Sequence, residues 1–502
     1  MSFSTPIFYL MFLPAALVGF QLMGIFGRRY AVGFLTLVSL YFYYYGSRGV
    51  IVVLAASILA NYVVADMIVR SAKRPAEQKF WLAAGIAGNL SVLCFFKYLF
   101  PLLNFFTVAG ITHRNWGAVI LPLGISFFTF TQISYLIDLK QGLAQQESLL
   151  NYTFFVTYFP HLVAGPIIRH KELMPQVSEK RRYRLNRDDV ALGLTWFTMG
   201  MFKKVMIADQ ISPIADAFFT RPQGMGAAAA WLGALTYSMQ LYFDFSGYSD
   251  MAVGIARMFS IRFPLNFNSP YKAPSIIDYW QRWHMTLTRF IMDYVYAPIQ
   301  FSVSRRRLEK GRKVSRKATA TLEGFVQMIA MPSLVTMFLV GVWHGAGIQF
   351  LLYGLLHGIY ITINHAWRIF VPGESRLKRL VNVPVSVGIT YVAAVVGDVF
   401  FRSNSLRDVW SVLADMGGRH GVGEIWSPGH AILVAALLAV VWLMPNTQEI
   451  LGETQENDAL NWSMVPRVRW SPTLPWWVAT SFSFAVSMFY STASTTFLYF
   501  KF

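Results

Sequence analysis

Long apolar runs broken by short polar links set the pattern of this chain. Runs long enough to cross a hydrocarbon core of ~30 Å occupy Pro6–Phe26, Tyr30–Tyr45, Val50–Ile68, Phe80–Phe100 and Val119–Ile137. They resume at Val190–Ile207, Gly226–Phe245, Phe325–Val342 and Ile348–Phe370. Val381–Phe401, His430–Met444 and Trp476–Phe500 complete the series. The pattern predicts an all-α polytopic membrane protein with about eleven or twelve apolar helices. The first run lacks a small-residue cleavage site and is expected to stay as a span.

Two stretches depart from that rhythm. Asn151–Ile168 is apolar but carries Pro160, Gly165 and Pro166, which break helices. It is expected to be re-entrant or interfacial, since irregular backbone at membrane depth survives only inside protein or a cavity. His161 lies at the break, either satisfying freed carbonyls or facing a substrate path. From Ser275 to Tyr296 the spacing predicts an amphipathic helix that does not span. Ser275 and Asp278 open it as a capping box. Ile277, Trp280, His284, Leu287 and Ile291 share one face, and Asp278 and Arg282 pair on another.

Composition sharpens the class. Hydrophobic residues make up 55% and charged residues 14%, against roughly 25% charged in soluble domains, and mean hydropathy is +0.44. The single cysteine, Cys94, excludes an internal disulfide and reads as packing. The net charge of +18 does not point to nucleic acid, because the basic residues cluster in short links between apolar runs. Such clusters stand at Arg28-Arg29, Arg70 to Lys79, Arg169 to Arg187, Arg305 to Lys317 and Arg376 to Arg379. With the N-terminus outside and Asn151–Ile168 not crossing, all of them fall on the cytoplasmic side, as the positive-inside rule requires. We therefore expect one membrane domain over 1–502, a motif-bearing core over 119–370 and a basic cytoplasmic loop over 301–324 that faces lipid headgroups.

The candidate chemistry sits in two Trp-His dipeptides, Trp283-His284 and Trp343-His344. His344 follows one apolar run and precedes another, with Gly341, Gly345 and Gly347 around it. A histidine at membrane depth is a functional-site hypothesis, and imidazole can take a proton from an attacking hydroxyl near neutral pH. The bland reading is an interfacial Trp-His anchor. Zincin, P-loop, nucleophile-elbow and Cys/His zinc motifs are absent, and no third ligand accompanies His357 and His365, so no metal is expected. Tyr242–Asp250 (YFDFSGYSD) reads as the end of a span. Asp250 is assigned there to capping a helix that starts near Ser249, and Asp244 is left between a cap and a cavity lining.

Taken together, Tyr242–Asp250, Arg262–Phe267 (RFPLNF), Asp278–Thr286 (DYWQRWHMT), Trp343–Ala346 (WHGA), Tyr353–Gly358 (YGLLHG) and Phe497–Phe502 resemble the membrane-bound O-acyltransferase family. The resemblance is to the bacterial branch that serves alginate O-acetylation. Similar order and spacing run from Leu121 to Gly358. The resemblance implies helices around a central tunnel, with His344 and His284 as catalytic residues. It also implies Trp343, Trp280, Trp283, Asp244, Asn268, His161 and His357 as substrate-tunnel candidates. Three positions depart from the family pattern. Gln281 stands where arginine is common, the longer basic segment replaces a short Gly-Gly-Asn-Arg turn, and Gly347-Ile348-Gln349 replaces Gly-Trp-Thr. The implied reaction moves an acetyl group across the membrane for O-acetylation of a cell-surface or secreted polysaccharide. No bound cofactor is implied. The acyl donor, acetyl-CoA or an acylated carrier, is a cytoplasmic co-substrate, and a periplasmic acetyltransferase partner is expected. The implied location is the bacterial cytoplasmic (inner) membrane. D-alanyl transfer toward teichoic acid remains an alternative within the family, and a polysaccharide or lipid-carrier transporter is the alternative from another class.

Overall fold

The computed structural model describes residues 2–47, 49–108, 121–178, 186–220, 224–373, 380–423, 427–453, 468–491 and 497–498, together with Ile111 and Ser375. The described residues form helices and contain no strand. Among the described residues, six helices are long and apolar enough to cross a membrane: α1 (Phe8–Ile25), α3 (Ile51–Arg70), α4 (Pro75–Thr107), α9 (Arg187–Thr220), α14 (Leu322–His344) and α16 (Val383–Arg402). Their outer faces carry exposed residues such as Val52, 69% accessible, and Ile389, 58% accessible. In water such faces would drive association; against lipid tails they are at home. The remaining apolar runs form shorter or less apolar helices, among them α2 (Arg28–Ser47), α5 (Ile125–Lys140) and α15 (Ile348–Phe370). The expected basic clusters at 181–184 and 376–379 lie outside the described residues.

The chain divides into two compact units, the first formed by Met1–Met206, Phe245–Leu265 and Ser471–Lys501. Its core is aromatic. Phe8 packs on Phe3, Phe42, Phe159 and Phe197 at ring separations of 5.0 to 6.3 Å. Polar side chains join the helices internally, as expected where burial alone gives no drive. Asn61 of α3 and Asn89 of α4 exchange amide hydrogen bonds of 2.6 and 3.2 Å. Asn151–Ile168 folds as two short helices, α6 (Leu149–Thr157) and α7 (Phe159–Leu162), broken at Tyr158. Neither is long enough to span. Gly165 is required there, because a Cβ would stand 2.5 Å from the His161 Cα. His170, which opens α8 (His170–Ser178), bonds Glu147 at 2.9 Å. Burial works to raise the Glu147 pKa, but hydrogen bonds from His170 and Asn151 outweigh it and hold the carboxyl below its usual range.

Two expectations for this region are corrected. Tyr242–Asp250 does not end a span: α10 runs unbroken over Ala227–Met258. Asp250 therefore caps nothing and pairs with Lys203 Nζ at 2.7 Å. Small residues on both helices let α9 approach α10 closely. Cβ atoms at Gly200 and Gly254 would lie 2.5 Å from the carbonyl oxygens of Gly247 and Gly193. Cys94 is exposed on α4 and so does not pack inside the chain.

The second unit comprises Ile207–Asp244 and Asn266–Trp470. Here the expected continuous helix over 275–296 is broken into α11 (Ile276–Arg282) and α12 (Met285–Ile291). Segment 266–268 causes the break. Asn268 N–H bonds to Arg282 O and Met285 N–H to Asn266 O, each at 2.9 Å, so groups that would continue the helix are already engaged. The basic segment is not simply a loop. Helix α13 (Ala297–Glu309) carries its first nine residues, and Arg307 is buried against Gln327 at 2.5 Å. Helices α14 and α15 then pack backbone to backbone. A Cβ at Gly341 would collide with Phe350 O, and one at Gly354 with Met337 O. Helix α16, the amphipathic α17 (Leu406–Met416), α18 (Pro428–Leu443) and α19 (Thr447–Leu451) complete the unit.

Candidate active site

His284 owes its setting to an unusual backbone. It lies in the left-handed region at φ 44°, where a residue other than glycine is held only by surrounding structure. Asn266 is what holds it. The Asn266 Oδ1 accepts from Thr286 N–H at 3.3 Å, from Thr286 Oγ1 at 2.9 Å and from His284 Nδ1 at 2.9 Å. A backbone N–H can only donate, so the atom facing it is the amide oxygen, and His284 must carry its proton on Nδ1. Nε2 then presents a lone pair. The side chain is 1% exposed, and that burial pushes its pKa down to about 3, so the imidazole is neutral across the physiological range.

His344 stands at the last residue of α14, followed by Gly345 in extended backbone. Its ring lies 4.6 Å from Trp343, 5.7 Å from Tyr353 and 5.0 Å from Phe401. Tyr353 carries the packing on to His357, 4.6 Å away. His357 Nδ1 accepts from Trp280 Nε1–H at 3.3 Å. Indole only donates, so His357 holds its proton on Nε2, the opposite tautomer to His284. That nitrogen rests against α16, where a Cβ at Gly397 would stand 2.5 Å from it. On the other side of Trp280, the rings of Tyr279, Trp283, Tyr271 and Tyr242 continue the packing at 5.3 to 6.4 Å. His344, His357, Trp343, Trp280 and Trp283 thus belong to one connected series of buried rings, and His284 follows Trp283 directly.

Other expected residues fall in separate settings. Asn268 Oδ1 accepts from Asn446 Nδ2 at 3.0 Å, tying segment 266–268 to the residue before α19. Asp244 is buried mid-way along α10. His161 belongs to the first unit and bonds Phe155 O at 3.0 Å, satisfying a broken-helix carbonyl. Its burial lowers its pKa to about 4. Sequence reasoning did not single out Asn266 or Gly397. For Asn266 the signal was present, in the RFPLNF motif of which it is the fifth residue.

Apolar helices of spanning length and, in the second unit, buried histidines among aromatic rings define the class: a multi-pass membrane protein with polar groups shielded from water. Residues 103–314 match the family model of the membrane-bound O-acyltransferases. That match takes in Trp280 to His284 and ends before His344. Over 450 residues the chain is 37% identical to the peptidoglycan O-acetyltransferase of Helicobacter pylori, covering 84% of this chain and 80% of that protein. It is 35% identical over 421 residues to the probable alginate O-acetylase of Pseudomonas aeruginosa, covering 83% and 75%. The teichoic acid D-alanyltransferase of Bacillus subtilis is 29% identical over 245 residues, covering 48% and 58%. The chain belongs to the membrane-bound O-acyltransferase family and is an acyltransferase.

Proposed function

We propose that this protein O-acetylates an extracytoplasmic glycan, drawing the acetyl group from a thioester donor on the cytoplasmic side of the bacterial inner membrane. The observation that carries this reading is the likeness, over four fifths of the chain, to two proteins named for acetyl transfer to glycans. The D-alanyl alternative rests on lower identity and a shorter match. The donor is acetyl-CoA or an acetylated carrier, used as co-substrate with no resident cofactor. A periplasmic acetyltransferase completes delivery to the polymer.

In this reading His344 is the base. A hydroxyl is a poor nucleophile until a positioned group takes its proton, a contribution of roughly 10²–10⁴-fold. His344 removes the acceptor's proton as the oxygen attacks the acetyl carbonyl. The carbon–sulfur bond then breaks, and the imidazolium returns that proton to the leaving thiolate. His284, fixed with its Nε2 lone pair available, accepts a hydrogen bond from donor or acceptor and orients it. The surrounding rings exclude water, which would otherwise take the acetyl group. Positive-inside orientation supports placing the C-terminal end of α14, and so His344, toward the outer face.

The acceptor polymer is alginate-like in this proposal; the 37% identity to a peptidoglycan O-acetyltransferase favours peptidoglycan as the second reading. One experiment separates them. Ester-linked acetate is measured on both the secreted polysaccharide and the purified sacculus of strains carrying wild-type protein or His344→Ala at matched membrane levels. Loss from one fraction in the variant assigns the acceptor. Unchanged acetate in both removes His344 as the base.

A further inference from the structure

A groove in the second unit is not used by the reaction above. It encloses about 540 Å³ between the start of α11, the last third of α15 and the first half of α16, a volume within the range of small-ligand pockets. Its polarity changes along its length. At one end stands the exposed Arg368, whose guanidinium donates to Ser275 Oγ at 3.0 Å. It makes no ion pair with a carboxylate among the described residues. One turn along α15, Asn364 lines the groove with its Oδ1 buried and without a hydrogen bond. Beyond it the walls are Tyr360, Ile389 and Ala393. From Arg368 to Tyr360 is eight residues, or ~12 Å of helix.

A cation with no counter-ion among the described residues, then an amide with its oxygen unbonded, then an apolar trough is a profile complementary to an amphiphile with an anionic head. Ile389 is 58% exposed and Ile363 59%, so the trough opens sideways, toward lipid. We propose that this groove binds one anionic glycerophospholipid. The phosphate pairs with Arg368, which supplies the planar donor fork that suits it. The Asn364 amide, turned to present its N–H groups, donates to an ester carbonyl. One acyl chain lies along Ile389 and Ala393. The basic residues 376–379 that follow α15 in sequence favour the same leaflet, the cytoplasmic one under the orientation proposed above.

The test uses the full-length protein, purified in detergent and titrated with phosphatidylglycerol or phosphatidylcholine of identical chains, with bound lipid counted by native mass spectrometry. Phosphatidylglycerol is expected to be retained at least about fivefold better, the equivalent of ~1 kcal/mol for one basic contact. Arg368→Gln is expected to erase that preference, and Ile389→Trp, which fills the trough, to remove the retained lipid while leaving Arg368 in place. Equal retention of the two lipids, or an unchanged preference in Arg368→Gln, overturns the proposal. Full displacement of the lipid by millimolar inorganic phosphate overturns it as well, since the site would then take a free anion and not a lipid.

Discussion

Replacing Asn266 tests whether the left-handed turn at His284 is a working part. In Asn266→Ala, one acceptor is lost to three donors: the His284 ring, the Thr286 amide and the Thr286 hydroxyl. At about 1 kcal/mol net for each bond, the loss is ~3 kcal/mol. The strained backbone of His284, which costs about 1–3 kcal/mol, loses its restraint at the same time. At ~2.1 cal/mol/K of unfolding entropy per residue over 502 residues, the thermal midpoint of the purified protein is expected to drop by roughly 3 °C. Acetyl transfer in membrane vesicles is expected to fall further than the loss of folded protein accounts for. Asn266→Asp separates position from charge. The carboxylate can still accept all three bonds, so the fold is retained, but it favours the imidazolium. Wild-type His284, held down to about 3 by burial, stays neutral through the assay range. In the Asp variant its pKa rises, the neutral form is depleted as pH falls, and the acid limb of the rate profile moves up into that range. Asn266→Ala with wild-type stability and activity, or Asn266→Asp with an unshifted acid limb, would refute the assignment.

Two further outcomes follow from packing. Gly354→Ala forces a methyl into Met337 O and, as overpacking in a rigid contact, is expected to cost about 1–3 kcal/mol; a thermal midpoint equal to wild type would show that α14 and α15 can part. Arg307→Ala is expected to lower stability, because it strips Gln327 of a buried partner, whereas joint neutralisation of the exposed Arg305, Arg306 and Lys310 changes neither stability nor acetylation once insertion is confirmed. Thermal melts and polymer acetate on the two variants decide it, and equal effects would mean that Arg307 is one more headgroup contact.

The helical class and the two Trp-His dipeptides were legible because each is a local signal: hydropathy over some twenty residues, or a side-chain pair in a motif. The helix N-cap at Ser275 and the Asp278–Arg282 pair at 2.8 Å also followed from spacing alone. What escaped depended on partners distant in sequence. Periodicity carried the helix through His284, since nothing within 275–296 announces that segment 266–268 takes its backbone bonds. The polar YFDFSGYSD run looked like a helix end; it is helix interior because Lys203, 47 residues away, neutralises Asp250. Arg307 sat among eight cations that read alike, and only the fold shows which one turns inward.

The contact between Gly341 and Gly354 carries a consequence for tempo. With no side chain between them, α14 and α15 have no layer of rotamers to absorb a slide, so they move as one rod. In the proposed mechanism, any opening that brings substrate to His344 therefore falls to the rings around it, Tyr353, Phe401 and Trp343. Displacement of whole helices belongs to the micro- to millisecond range, whereas the rotamers of exposed side chains flip in picoseconds to nanoseconds. Gating in the proposed mechanism then needs side chains to turn, with no helix sliding past its neighbour.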